Sequence, residues 1–137
     1  MRSWRRLLPL FALVLAMLAG CGAKDETQKE PIKQQASADQ YTADLLITPG
    51  IVGPNTYEIT ITDDKQQKVE TGSAKLTFAM QGMDDHGKSE QQLKAKDGKW
   101  TAEGPHLMMD GTWDVKLIWT DEKQNVHTFT YSVTVQN

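Results

Sequence analysis

The chain has 137 residues, 24% of them charged, and a formal net charge of −3 at pH 7. Its three arginines, Arg2, Arg5 and Arg6, all precede residue 7, so residues 21–137 carry 12 lysines (15 basic residues less 3) against 18 carboxylates, a net of −6. An acidic, arginine-free surface excludes nucleic acid as a partner, because phosphate contact draws on dense Lys/Arg patches.

Residues 1–20 read as an export signal. Arg2, Arg5 and Arg6 give a positive start, and Leu7 to Leu18 form an apolar stretch of 12 residues interrupted by Pro9. That length suits the hydrophobic region of a signal and falls short of the roughly 20 residues a spanning helix needs. The run Leu18-Ala19-Gly20-Cys21 resembles the lipobox of bacterial lipoproteins. The resemblance implies cleavage before Cys21 and lipid, palmitate included, on its sulfur. It also implies a domain anchored on the extracytoplasmic side of the cell membrane. The other reading is an ordinary secretory signal with an incidental cysteine. Cys21 is the sole cysteine, so the mature domain has no internal disulfide and must hold by its core.

Residues 21–40 read as a lipidated cysteine and a disordered tether. Ile32 is the one large apolar residue there, too little to offset the entropy of ordering. A domain is then expected over residues 41–137, enough for a single core. Its apolar residues alternate with polar ones, the mark of half-buried strands. Ala43, Leu45 and Ile47 share one face of a first strand. Tyr57, Ile59 and Ile61 do so in a second, and Ala74, Leu76, Phe78 and Met80 in a third. A weaker fourth covers about Ser89 to Ala95, and Asp97-Gly98 is a hairpin signal leading into a fifth at Lys99 to Glu103. Trp113, Val115, Leu117 and Trp119 line a sixth, and His127, Phe129, Tyr131, Val133 and Val135 a seventh. About seven short strands with no helical stretch predict an all-β, immunoglobulin-like antiparallel β-sandwich.

Sulfur and imidazole concentrate in two segments of this domain. One is Met80-Gln81-Gly82-Met83-Asp84-Asp85-His86-Gly87, the other Gly104-Pro105-His106-Leu107-Met108-Met109-Asp110-Gly111. If successive strands run antiparallel, the loops after strands one, three and five share one end, and both segments fall there. His127 begins strand seven at the opposite end. Thioether and imidazole suit copper, above all Cu(I). Met83, His86, His106 and Met109 are the metal-ligand candidates, because a loop position gives them no core duty. The structural reading competes with this: Met80 continues an inward face, one of Met108 and Met109 should point inward if strand six starts there, and methionine fills irregular gaps well. Asp84 and Asp85 read as solvated turn residues. No Gly-x-Ser-x-Gly run and no His-Glu-x-x-His pair occurs, so an enzyme is not expected.

A set of further positions resembles one family. Pro49-Gly50, Gly53-Pro54-Asn55, Tyr57-Glu58-Ile59-Thr60-Ile61, the strand Ala74 to Met80, Met83, Gly98-Lys99-Trp100 and Leu107-Met108-Met109-Asp110-Gly111-Thr112-Trp113 are similar to YtkA-like domains. These are small extracytoplasmic sandwiches related to the soluble part of FixH-type proteins. The resemblance implies copper handling, with a membrane-bound copper or cytochrome oxidase assembly protein as partner. The alternative it leaves is a metal-free interaction module in envelope or oxidase assembly. Asp84-Asp85-His86 stands where the family pattern leads one to expect a methionine–glycine pair.

Overall fold

A computed structural model describes residues 30–83 and 88–137. The expected signal, the lipidation site Cys21, and Asp84, Asp85 and His86 lie outside the described residues. Among the described residues the chain forms strands β1 (Ile32–Ala38), β2 (Tyr41–Thr48), β3 (Gly53–Thr62), β4 (Ser73–Met80) and β5 (Ser89–Gln92). Then follow β6 (Lys94–Lys96), β7 (Lys99–Leu107), β8 (Gly111–Thr120) and β9 (Val126–Val135). They build two antiparallel sheets, ordered β1-β2-β3-β7-β6 and β5-β4-β8-β9. The expected β-sandwich is present, with no helix long and apolar enough to cross a membrane among the described residues.

The strand count differs from about seven for two reasons. First, β1 occupies part of the stretch expected to be tether. All seven of its residues pair with β2, from Ile32↔Ile47 to Ala38↔Tyr41. Its composition is polar because it is an edge strand. Ile32, Ala36 and Ala38 pack on the core, while Lys33, Gln35 and Ser37 face solvent. Ladder bonds to β2 supply what its few apolar residues do not. Second, the weak fourth strand is two strands in different sheets. β5 pairs with β4 and β6 pairs with β7. Leu93 makes the crossover, 4% exposed, with its N–H donated to the Ala74 carbonyl.

The core lies between the two sheets and follows the alternation seen in the sequence. Trp113, Trp119, Tyr57, Tyr131, Phe78 and Phe129 are its largest fully buried side chains. Burying each such side chain favours folding by roughly 1.5–3 kcal/mol. The Tyr131 hydroxyl donates to the Ala43 carbonyl at 2.8 Å, joining the last strand of one sheet to the second strand of the other.

Strand direction sorts the connections to two ends. The β2–β3 loop, the end of β4, the start of β5 and the β7–β8 turn share one end with the C-terminus. That is the Met109 end. The β1–β2, β3–β4 and β8–β9 turns lie at the other, the His127 end. The expected grouping of loops by parity therefore holds. One consequence of β1 is new: the chain enters at the Met109 end. A Cβ built on Gly50 would lie 3.3 Å from the Glu30 carbonyl and 3.0 Å from Ile32. Entry directly at Tyr41 would have been at the far end.

Candidate functional site

The Met109 end is built on a polar pin. Asn55 is 3% exposed. Its Oδ1 accepts the N–H groups of Gly50 and Ile51 at 2.9 and 3.0 Å. Its Nδ2 donates to the carbonyls of Ile51 and Gly53. One side chain thus satisfies four backbone groups of a tight loop that contains a cis Thr48–Pro49 bond. Beside it, Gly53 pairs with Leu107, so Ile51-Val52 and Met108-Met109 emerge next to each other.

The methionines divide by role. Met80 is packed against the core, pairs with Trp113 and lies over Gly111, where an added Cβ would meet its Cε at 2.6 Å. Met83 is tied to the same corner by its N–H, donated to the Met80 carbonyl at 3.3 Å. The Trp113 indole N–H donates to the Met109 carbonyl at 3.2 Å, which places the β7–β8 turn over the same tryptophan. Met108 is 56% exposed and Met109 41%. Neither points inward; one would have done so had strand six begun there, but β8 begins at Gly111. Leu107, fully buried, takes that inward position instead. Met83 and Met109 therefore share one corner of the sandwich, centred on Trp113, and neither belongs to the core.

His106 departs from the expectation that it is a free loop residue. It sits within β7, with its ring stacked on Phe78 at a centroid distance of 4.4 Å and a 2° tilt. Nδ1 is 2.8 Å from Ser89 Oγ and Nε2 is 3.3 Å from Gln91 Oε1. The amide oxygen can only accept, so Nε2 carries the proton, and Nδ1 accepts the serine hydroxyl. Burial holds its pKa below 6.5, in keeping with a neutral ring. His106 thus has a structural duty tying β7 to β5, and both nitrogens are engaged. Ser89 and His106 stand at nucleophile–base distance, but a neutral amide orients the ring where an acyl-transfer site would place a carboxylate.

Beneath this corner lies an unsatisfied group. The Tyr57 side chain is fully buried and its hydroxyl has no hydrogen-bond partner. Asn55 and the backbone of His106 lie beside it, and burial pushes its pKa up to about 12.

Among the described residues no group of three or more His, Cys, Asp or Glu is arranged to hold a metal ion. Thioether is the donor type that suits a soft metal, and Met83 and Met109 are brought to this corner by their backbone bonds. His106 would join them only by giving up Ser89 or Gln91.

The opposite end holds a histidine that sequence reasoning set aside. His127 is 8% exposed, between Asp39 at 2.6 Å from Nδ1 and Asp121 at 3.0 Å from Nε2. Its ring stacks on Trp119 and meets the edge of Tyr41. The alternation of β9 signalled its inward position; its partners come from two turns that no local pattern links.

Fold and ends together define a small antiparallel β-sandwich domain with a methionine-bearing end pinned by an asparagine. The chain belongs to the YtkA-like family, whose model matches residues 22–118. No curated protein and no solved structure matches it. Several of the residues that carry the resemblance are scaffold. Asn55 pins a loop, Trp113 holds the β7–β8 turn, and the Trp100 indole donates to the Val69 carbonyl at 2.9 Å.

Proposed function

We propose that this protein is a lipid-anchored extracytoplasmic β-sandwich that binds Cu(I), or a copper-handling membrane partner, at its Met109 end. The observation that carries the reading is the placement of Met83 and Met109 at one corner, outside the core, with Met108 exposed beside them. Thioethers are soft ligands that do not titrate and that favour Cu(I) over hard cations. His86, three residues after Met83, is the imidazole this reading adds to the pair. His106 serves as a support of the corner before it serves as a donor. For the anchor, the support is the leader that ends at Cys21 and a family match that begins at the next residue. The reading is of a binding protein with no catalytic role and no nucleic-acid partner.

A competition titration of the full chain against a Cu(I) chelator tests it. One equivalent should bind. Met83→Leu combined with Met109→Leu should weaken binding by about tenfold or more, since leucine keeps the packing and removes the sulfur. Equal competition by wild type and variant would remove copper from the reading.

The second reading is a metal-free interaction module in envelope or cytochrome oxidase assembly. Its support is the same exposed pair, Met108 and Met109, taken as an adaptable apolar contact surface.

A further inference from the structure

The two ends of the sandwich differ in chemistry, and the chain enters at one of them. Glu30 lies against Gly50 at the Met109 end, and Cys21 stands nine residues earlier. Nine residues reach at most about 30 Å when fully extended. The Met109 end also carries Met108 and Met109, two of the three exposed large apolar side chains among the described residues. Ile51, half-buried, emerges beside them, while Val52 packs back against the core. The opposite end presents charged turns, Asp63-Asp64-Lys65 and Asp121-Glu122-Lys123.

We infer that the Met109 end rests on the lipid surface, with Met108, Met109 and Ile51 seated at headgroup level. Three arguments select lipid as the occupant. The point of entry brings this end closest to the anchor. The nine-residue link is too short to let the far end reach the bilayer instead without turning the domain over its own attachment. The patch is apolar, and among the described residues its charged neighbours in the chain, Glu30, Lys88 and Asp110, are of both signs and select no charged protein surface. Asp110 is itself occupied, accepting the Asn137 N–H at 2.8 Å. Shallow insertion of a few apolar side chains adds to an acyl anchor in the way that two weak membrane signals combine. The inference rests on the anchoring part of the proposed function and not on the copper part. Its consequence for that function is direct: a donor pair at headgroup level exchanges its ion with whatever operates at the bilayer surface.

The test uses the sole cysteine to advantage. In the lipidated chain Cys21 is a thioether, so Met108→Cys or Val126→Cys introduces a single free thiol. Val126, 60% exposed at the His127 end, is the control. Each full-length lipidated variant is labelled with an environment-sensitive fluorophore and incorporated in vesicles of phosphatidylcholine and phosphatidylglycerol. Flotation first reports anchoring. Then dithionite quenching reports exposure. The label at position 108 should emit further to the blue and be quenched about tenfold more slowly than the label at 126, as expected for a group at the headgroup boundary. In the unaltered chain, peroxide should oxidise Met108 more slowly on vesicles than after proteolytic release from them. Flotation with equal quenching at the two positions overturns the docking and leaves the anchor standing. Failure to float overturns both. Shielding in native membranes but not in pure lipid vesicles overturns lipid as the occupant and makes it a membrane protein.

Discussion

His127 Nδ1 lies 2.6 Å from Asp39 Oδ2, joining residues 88 positions apart. With Nε2 bonded to Asp121, the ring bridges the β1–β2 turn of one sheet and the β8–β9 turn of the other. Both carboxylates can only accept, so the bridge is complete when both ring nitrogens carry protons.

The first prediction concerns pH. Burial alone would lower the pKa of His127, but the hydrogen bonds and negative charges of Asp121 and Asp39 outweigh it and hold the value above 6.5. The group is raised relative to the unfolded chain, so its stabilisation is full below about 6.5 and is lost as pH rises through its folded value. Asp121, in turn, is held down to about 2 by His127 and the turn amides of Asn125 and Lys123. Its contribution is present above about 3.8 and is lost as pH falls towards 2. Asp63, Glu122 and Lys123 line the same groove as His127, with Tyr41 and Trp119. Urea midpoints of wild type should decline from neutral to alkaline pH, and those of His127→Gln should lose that decline. An unchanged decline would place its cause elsewhere.

His106 should act with the opposite sign. Burial lowers its pKa, so the unfolded chain takes up a proton near pH 6.5 before the native ring does. Its contribution is present above 6.5 and fades on acidification. His106→Gln should therefore flatten the slope below pH 6.5, while leaving the alkaline limb intact. Titration of both rings by NMR would check the two directions without mutation.

Asn55→Ala should destabilise the domain by roughly 1–3 kcal/mol, because it strips partners from buried backbone groups of Gly50, Ile51 and Gly53. Loss of amide protection should be confined first to residues 50–53 in hydrogen exchange. Global loss with no local signature would mean that the loop is not held by this side chain.

Trp113→Ala should cost about 3–5 kcal/mol, a large share of the stability of a domain this size. Trp113 is 1% exposed, and its indole also holds the Met109 carbonyl. Trp113→Phe keeps most of the packing and drops that bond. It should move the denaturation midpoint less while loosening the β7–β8 turn, seen as faster oxidation of Met109.

Gly72→Ala should be among the most damaging of small changes. Gly72 has φ +88°, and an added Cβ would sit 2.1 Å from the Thr120 carbonyl oxygen. That carbonyl is part of β8 and cannot give way, so the loss should exceed about 1 kcal/mol. A thermal midpoint within error of wild type would show that the β3–β4 connection can rearrange.

The inward faces of β2, β3, β4, β8 and β9 were legible because each repeats an apolar residue at every second position. Strand parity then placed Met83 and Met109 at one end and His127 at the other. β1 was not legible: Gln34, Gln35 and Ser37 give it a polar composition, and its order comes from pairing with β2. The length of β7 was hidden by Gly104-Pro105, which read as a break. Pro105 is tolerated because β6 pairs with β7 only as far as Thr101, leaving its other flank without a ladder. For that reason His106 looked like a loop residue and is a strand residue. The partners of His127 were invisible because Asp39 and Asp121 meet only once both sheets are assembled.

The crossover at Leu93 has a bearing on life in a crowded layer. It cuts one flank of the sandwich into two short edges, β5 with four residues and β6 with three, the latter bearing Lys94 and Lys96. On the other flank the long edges of β1 and β9 lie against each other, with the Gln34 amide donating to the Ser132 carbonyl. Among the described residues, a neighbouring copy brought alongside meets short edges on one flank, Pro105 in the unpaired part of β7, and two edges turned towards each other on the other flank. Molecules confined side by side on a surface can then collide often and still remain separate.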